Sequence, residues 1–403
     1  VRLPRSSRAI GAGIFVLALG IAITAFNMRT AIVGVGPLID AIRDDTGISA
    51  TVAGLLTTLP VVCFGALAGV APRLAHRFGI DLMIWLTMVG LTIGILIRAA
   101  NPLPMLFLGT VVIGGSIALA NVLVPAAIKR DFPERTGLMT GVYTMGIAAG
   151  GSLAAGLMVP ILENTSLGWR GTLGTLAVPS LLAVVALLPR LRMNRASQAT
   201  SAANPVSRPS LWKSRLAWQV SLFMGLQSFA FFGLGTWTAT LLIDSGLSEA
   251  RAGLMWSLCN LAGLPVSMAA PLLAQRFHDQ RVLVVVVETI WAAAVVGLLL
   301  SPASWTILWM ILFGIGAGSS LSLALMFIVL RSPDAGHAAS LSGMAQAVGY
   351  TIAASAPFLF GALRDLTGGW EASMVMILIV LGLTMLFGWQ AGRRAYVTGE
   401  AVR

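Results

Sequence analysis

Arg29 is the only charged residue between Ile10 and Leu38, a stretch (IGAGIFVLALGIAITAFNMRTAIVGVGPL) long and apolar enough to cross a bilayer. A guanidinium near the centre of a spanning helix costs about 2.5–3.5 kcal/mol on insertion scales. A chain bears that cost where the charge faces a polar cavity and meets a partner or a ligand. The alternatives are a side chain that snorkels to the interface or pairs with a carboxylate for structure alone. As a ligand group, Arg29 offers a planar fork of donors to a carboxylate or another anion.

Other polar groups inside apolar runs are few: Asn27 and Thr30 beside Arg29, then Asn121, Tyr143, Gln227, Trp237, Asn260, Gln346 and Tyr350. The amides suit orientation of a ligand by hydrogen bonds, against an alternative of interhelical bonds worth about 0.6 kcal/mol each. Tyr143, Trp237 and Tyr350 suit stacking on a flat ring, or plain packing. Gln346 and Tyr350 are four residues apart and share a helix face. Glu288, in VVVVETIW, is the one acid well inside a run, and Asp40 closes the first. Intramembrane carboxyls mark proton relays. For Glu288, a structural pairing with a loop arginine is the first expectation and proton coupling the second. Asp40 is the other candidate for coupling.

The elements that must hold these groups are membrane helices. The chain is 57% hydrophobic and 10% charged, with a mean hydropathy of +0.89, which a soluble core cannot absorb. The formal charge of +11 does not imply nucleic acid, because the basic residues punctuate apolar runs and form no stripe. Cys63 and Cys259 both lie within apolar runs and give neither a disulfide framework nor metal spacing. There is no G-x-x-x-x-G-K-[ST] or HExxH motif, and the Gly34–Gly36 and Gly314–Gly318 fragments sit inside apolar runs. ATP-driven pumping, metalloenzyme chemistry and a dinucleotide cofactor are not expected; the expectation is a non-enzyme without cofactor or metal. The first apolar run lacks a cleavage site and reads as a retained span.

Twelve spans are expected, near 10–39, 50–71, 82–99, 103–128, 137–161, 170–189, 216–243, 249–274, 282–300, 304–330, 338–363 and 370–391. They group as a six-helix bundle over 1–189, a polar linker over 190–215 and a second bundle over 216–403. With both termini cytoplasmic, all of the 26 basic residues but Arg29, Arg43, Arg98, Arg170, Arg251 and Arg364 fall on that side. The halves repeat: GISATVAGLL from Gly47 matches GLSEARAGLM from Gly246, Asp45 matches Asp244, and APRLAHRF from Ala71 matches APLLAQRF from Ala270. TGLMTGVYTMG of the fifth span resembles ASLSGMAQAVG of the eleventh. Parallel repeats imply a cavity between the halves near the bilayer midplane.

LAHRFGID (Leu74 to Asp81) resembles the cytoplasmic signature of the major facilitator superfamily, G-x-L-A-D-R-x-G-R-K, with His76 in place of its Asp, Pro72 for its Gly and Ile80–Asp81 for its basic pair. The second copy, LAQRFHDQ, lacks the Asp as well, so a latch through that acid is not expected. FNMRTAIVGVGPL, LLTTLPVV, VLVPAAIKRDFPERT and GMAQAVGYTIAASAP are similar to the cyanate/2-nitroimidazole transporter branch. The resemblance implies two pseudo-symmetric six-helix bundles whose first, fourth, seventh and tenth helices line a cavity, assisted by the second, fifth, eighth and eleventh. It also implies a monomer in the bacterial cytoplasmic membrane that moves a small anionic or polar compound, with H+ as a potential coupling ion. A broad drug exporter of the same fold and a non-transporting sensor are the competing expectations.

Overall fold

The computed structural model describes residues 5–191 and 211–398, which form helices and no strand. In a bilayer every backbone N–H and C=O must bond within its own segment, so apolar runs of this length become helices. In the first half these are α1 (Arg5–Val33), α2 (Ile39–Thr46), α3 (Ala50–Ala68), α4 (Ala71–Phe78), α5 (Ile80–Ala99), α6 (Pro104–Asp131), α7 (Thr136–Asn164), α8 (Gly168–Thr175) and α9 (Ala177–Ala186). The second half has α10 (Arg215–Asp244), α11 (Glu249–Arg276), α12 (Arg281–Leu300), α13 (Thr306–Leu330), α14 (Ala335–Ala353), α15 (Ala356–Thr367) and α16 (Glu371–Ala391). By length and composition eleven helical segments reach across a membrane, and up to twelve if the bent pair at Gly69–Val70 is one span.

Four of the expected continuous spans are broken: the sixth at Leu176 between α8 and α9, ahead of Pro179, and three others, each at glycine or proline. The first stops at Val33 and resumes through a 3-10 turn at Gly36–Leu38, where Pro37 has no N–H to give the helix. The second bends by 59° between α3 and α4, just before Pro72. The segment expected as a loop after it, LAHRF, is therefore helical. The eleventh breaks at Ala354–Ser355, ahead of Pro357.

The sequence repeat has a structural counterpart at one end of the helices. Asp45 accepts a hydrogen bond from Trp169 Nε1 (2.9 Å), and Asp244 accepts one from Trp370 Nε1 (3.1 Å) and one from Arg364 (2.7 Å). The opposite end, where α1 sets out and α16 finishes, carries most of the arginines and is called here the basic end. There Asp81 and Asp131 alternate with Arg130 and Arg190 in a closed ring. Arg130 bonds both oxygens of Asp81 (2.7 and 2.8 Å) and also Asp131 (2.6 Å). Arg190 bonds Asp81 (2.5 Å) and Asp131 (2.7 Å). Arg190 was expected at the start of a flexible linker; it is 1% exposed, because these two carboxylates draw it into the bundle. Of the expected linker, 192–210 lies outside the described residues.

The halves meet at the basic end. Gln275 of α11 accepts from Gly137 N–H (2.8 Å) and donates to the Glu134 carbonyl (2.6 Å). Pro72 packs on Gly343 so closely that a Cβ there would lie 2.9 Å from its ring. Lys129 stands 5.8 Å from the Tyr396 ring and attracts Asp334. Partial burial opposes ionisation of Asp334, but hydrogen bonds from the His337 amide and ring hold its carboxyl below the usual range. Interhalf hydrogen bonds run only as far as mid-helix among the described residues, and α1 hardly touches α10. The two halves thus close on each other at the basic end and part toward the other.

Candidate functional site

Where the halves begin to part, a narrow cavity of about 30 Å³ is walled by residues of both, among them Arg29, Asn121, Tyr143, Gln346 and Tyr350. A space of that size admits about one or two water centres, so the cavity as it stands is tight. Its apolar wall comes from Met28, Ile32, Phe64, Ile117, Ile147, Met224, Leu321 and Leu325. Phe64 lies 5.0 Å from Tyr350, ring to ring, and sets one aromatic face. Phe64 is not legible in the sequence, since an aromatic in an apolar span is silent until its partner is known.

α1 can bring Arg29 to this place because α7 yields to it. A Cβ at Gly150 would meet the Phe26 carbonyl at 2.1 Å; Gly146 and Gly150 form the small-xxx-small face that lets two helices approach. Arg29 forms no ion pair among the described residues. The structural alternative of a carboxylate partner therefore finds no support there.

Two prolines shape the rest. Pro125 in α6 has no N–H for the carbonyl four residues back, Asn121. Gln346 Nε2 from α14 takes up that carbonyl at 2.8 Å, across the interface between halves. Pro271 in α11 likewise releases the Ser267 carbonyl, and Thr144 of α7 bonds it at 2.6 Å. Ser342 Oγ also reaches the Asn121 carbonyl, at 3.5 Å, so all three side-chain bonds between the halves at this depth land on a carbonyl freed by proline. The Asn121 carbonyl also fixes the orientation of Gln346: its amide nitrogen must face that acceptor and the Ser342 hydroxyl (2.9 Å). Gln346 Oε1 is then buried with no partner among the described residues. Asn121 Oδ1 accepts from Tyr143 (3.2 Å), which leaves its Nδ2 without a partner among the described residues.

This pairing gives a direct expectation. Gln346→Ala should cost about 1–3 kcal/mol of stability by leaving the Asn121 carbonyl only the long contact from Ser342. In a Pro125→Ala background, residue 125 supplies the missing N–H, and the same change should cost clearly less. A double-mutant cycle read by denaturant unfolding should show coupling of about 1 kcal/mol or more; additive effects would refute the assignment.

The remaining expected site residues stand elsewhere. Asn27 is 1% exposed and turns its Nδ2 to the Ile23 carbonyl (2.9 Å). Gln227 bonds Met224 O and Ser228 one turn behind the cavity wall. Trp237 donates to Pro357 O (2.9 Å) and packs on Trp370. Asn260 bonds Trp256 O on its own helix. None of these four lines the cavity. Glu288 is fully buried, but its partner is Ser320 of α13 (2.6 Å) and not a loop arginine. The reason is depth: seven residues inside α12, it is level with α13 and not with the loops. Asp40 is ion-paired to Arg43 at 3.5 Å with its side chain 91% exposed.

The Major Facilitator Superfamily profile matches residues 13–354. The chain belongs to that superfamily. Within it, the chain belongs to the branch of the cyanate and 2-nitroimidazole transporters. It is 40% identical over 385 residues to the uncharacterized transporter YycB of Bacillus subtilis, covering 95% of each chain. It is 39% identical to the 2-nitroimidazole transporter of Escherichia coli (96% and 98% covered) and 28% identical to that organism's cyanate transport protein CynX (91% and 95%). The proton:xylose symporter XylE shares the fold at a TM-score of 0.77 with 14% identity, over 94% of this chain and 96% of its own. This member of the superfamily is thus a multi-pass membrane transporter of a small molecule.

Proposed function

We propose that this protein carries a small, electron-rich planar compound across the bacterial cytoplasmic membrane by alternating access, as a monomer, with Arg29 as the anchor. The observation that carries the reading is a cation in the cavity wall that forms no ion pair among the described residues. A guanidinium without a counter-charge, in a low-dielectric setting, favours an anion or a strong acceptor and repels a cationic drug. The basic end is taken as cytoplasmic on the strength of its arginines; the contacts closed there then correspond to an outward-facing transporter. The names of the two Escherichia coli relatives point to nitroimidazole- or cyanate-like compounds.

The hydrogen-bonding inventory narrows the class. Arg29 and Asn121 Nδ2 present donors, and among the described residues Gln346 Oε1 is the one buried acceptor of the wall left unpartnered. The matching ligand carries a nitro or carboxylate group and also an N–H or O–H. Uptake into proteoliposomes tests both levels. 2-Nitroimidazole, under mildly acidic conditions that keep its N–H, should be taken up at least about tenfold better than its 1-methyl derivative, the worth of one buried hydrogen bond. Saturable uptake of organic cations, with none of nitroimidazoles, cyanate or small aromatic acids, would overturn the proposal.

A proton-coupled mode has one specific support: Glu288, buried among the described residues with no cation beside it and with Oε2 unpartnered, one helix behind Leu321 and Leu325 of the wall. Glu288→Gln should then abolish accumulation driven by a pH gradient yet leave exchange of internal for external substrate intact. Gradient-driven accumulation that survives the change would remove Glu288 from the coupling path.

A further inference from the structure

On the second half, away from the cavity, a pocket of about 290 Å³ opens at the basic end between α10, α12 and α16, lined by Arg215, Gln219, Arg281, Trp389, Gln390 and Arg393. Arg281 lies 4.3 Å over the Trp389 ring, and Arg331 stands behind the wall, bonded to the Ala391 and Gly392 carbonyls. The Nε atoms of Arg281 and Arg393 are buried without a hydrogen-bond partner among the described residues. Among the described residues one carboxylate is near, Asp279, 3.7 Å from Arg281 Nε with half its side chain in solvent.

The repeat shows what is missing. In the first half, Asp81 and Asp131 neutralise Arg130 and Arg190. At the offset of 199 residues Asp81 corresponds to Gln280, and aligning IKRD with VLRS makes Arg331 the counterpart of Arg130 and Ser332 that of Asp131. Gln280 does bond Arg331, as Asp81 bonds Arg130. The second half therefore keeps the arginine and has lost both acids, while Arg215, Arg281 and Arg393 add charge. Among the described residues no acid takes their place, and the site is open to an anion from solution or from the bilayer.

We infer that the pocket binds the phosphate of an anionic phospholipid headgroup. A lipid fits better than free phosphate because the same helices continue inward as an exposed apolar face. Val282 and Val286 of α12 are 75% and 49% exposed, and Leu386 and Trp389 of α16 are 47% and 44% exposed. Cationic head site and acyl-chain flank are thus contiguous, with a tryptophan at the boundary, as at a membrane interface. Basic pockets between helices are a recurrent headgroup site.

The test uses the purified full-length protein, with lipid retention read by native mass spectrometry. Wild type should retain phosphatidylglycerol over phosphatidylcholine. The Arg281→Gln/Arg393→Gln double variant should lose that preference by at least about tenfold, at roughly one factor of five per arginine. Equal retention of the two lipids by wild type, or an unchanged preference in the variant, overturns the inference. Displacement of the lipid by inorganic phosphate at modest excess would show a phosphate site and overturn the lipid assignment. Independently of variant folding, brominated phosphatidylglycerol should quench tryptophan fluorescence more than brominated phosphatidylcholine. The difference should vanish in Trp389→Phe; a difference that persists there overturns it too.

Discussion

Arg29→Ala is expected to abolish saturable substrate uptake in proteoliposomes while the protein folds at least as well as wild type. The two halves of this expectation share one cause. A guanidinium in the cavity wall without a counter-charge costs stability in the empty protein and returns it only when a ligand supplies the acceptor. Hydrogen bonds to charged groups contribute about 1.5–3 kcal/mol each, and a bidentate pair makes two. Loss of both weakens binding by roughly 10²- to 10⁴-fold. Removal of an intramembrane charge should meanwhile leave the unfolding midpoint unchanged or raised. Arg29→Lys keeps the charge and loses the fork, so it should retain a measurable fraction of uptake with a raised KM. Unimpaired uptake by Arg29→Ala sinks the anchor role. Collapse of folding with uptake would instead make Arg29 a structural residue.

The parts of the molecule that sequence makes legible are those where chemistry is local. A lone charge in an apolar run, the matched Asp45 and Asp244, and the run lengths themselves each carry their meaning within one helix or one repeat. Arg29, Asn121, Tyr143, Gln346 and Tyr350 of the polar residues flagged in spans do wall one cavity. What sequence leaves dark depends on rotation about a helix axis. Asn27 is two residues from Arg29 and hence about 200° around α1, facing away from the wall that Arg29 joins. Trp237 and Gln227 are likewise on cavity-type helices but turned to Pro357 and Ser228. Proline tells which carbonyl is released, by counting back four residues. It does not tell that Gln346, 225 residues on, is the donor that takes it up. Arg190 shows the same limit: charge and neighbours resemble a solvated linker, and only the fold reveals two carboxylates beside it.

Asp81→Ala should be the most destabilising single substitution among the charged residues of the first half, at about 3–5 kcal/mol, the cost of breaking a buried ion pair from one side. The ring of Asp81, Arg130, Asp131 and Arg190 ties α5 to α6, to the helical end at Arg190 and, through a bond from Arg190 to the Leu17 carbonyl (3.3 Å), to α1. Four alternating charges balance; with Asp81 removed, two guanidiniums share Asp131, and Arg190, with 2% of its side chain exposed, cannot turn to water. The acid also sits in the first turn of α5, where a negative charge is favoured by the helix dipole. Asp81→Asn keeps some hydrogen bonds but no charge and should fall between wild type and Asp81→Ala. The second half provides the internal control. Gln280, the counterpart of Asp81, is neutral and holds Arg331 by one amide oxygen. Gln280→Ala leaves Arg331 bonded to the Ala391 and Gly392 carbonyls, so it should cost only about 1–3 kcal/mol. Denaturant titrations of the three variants in mixed micelles measure this directly. A loss for Asp81→Ala no larger than that for Gln280→Ala would mean that the ring is a solvated surface cluster, and that α1, α5 and α6 are held together by apolar packing alone.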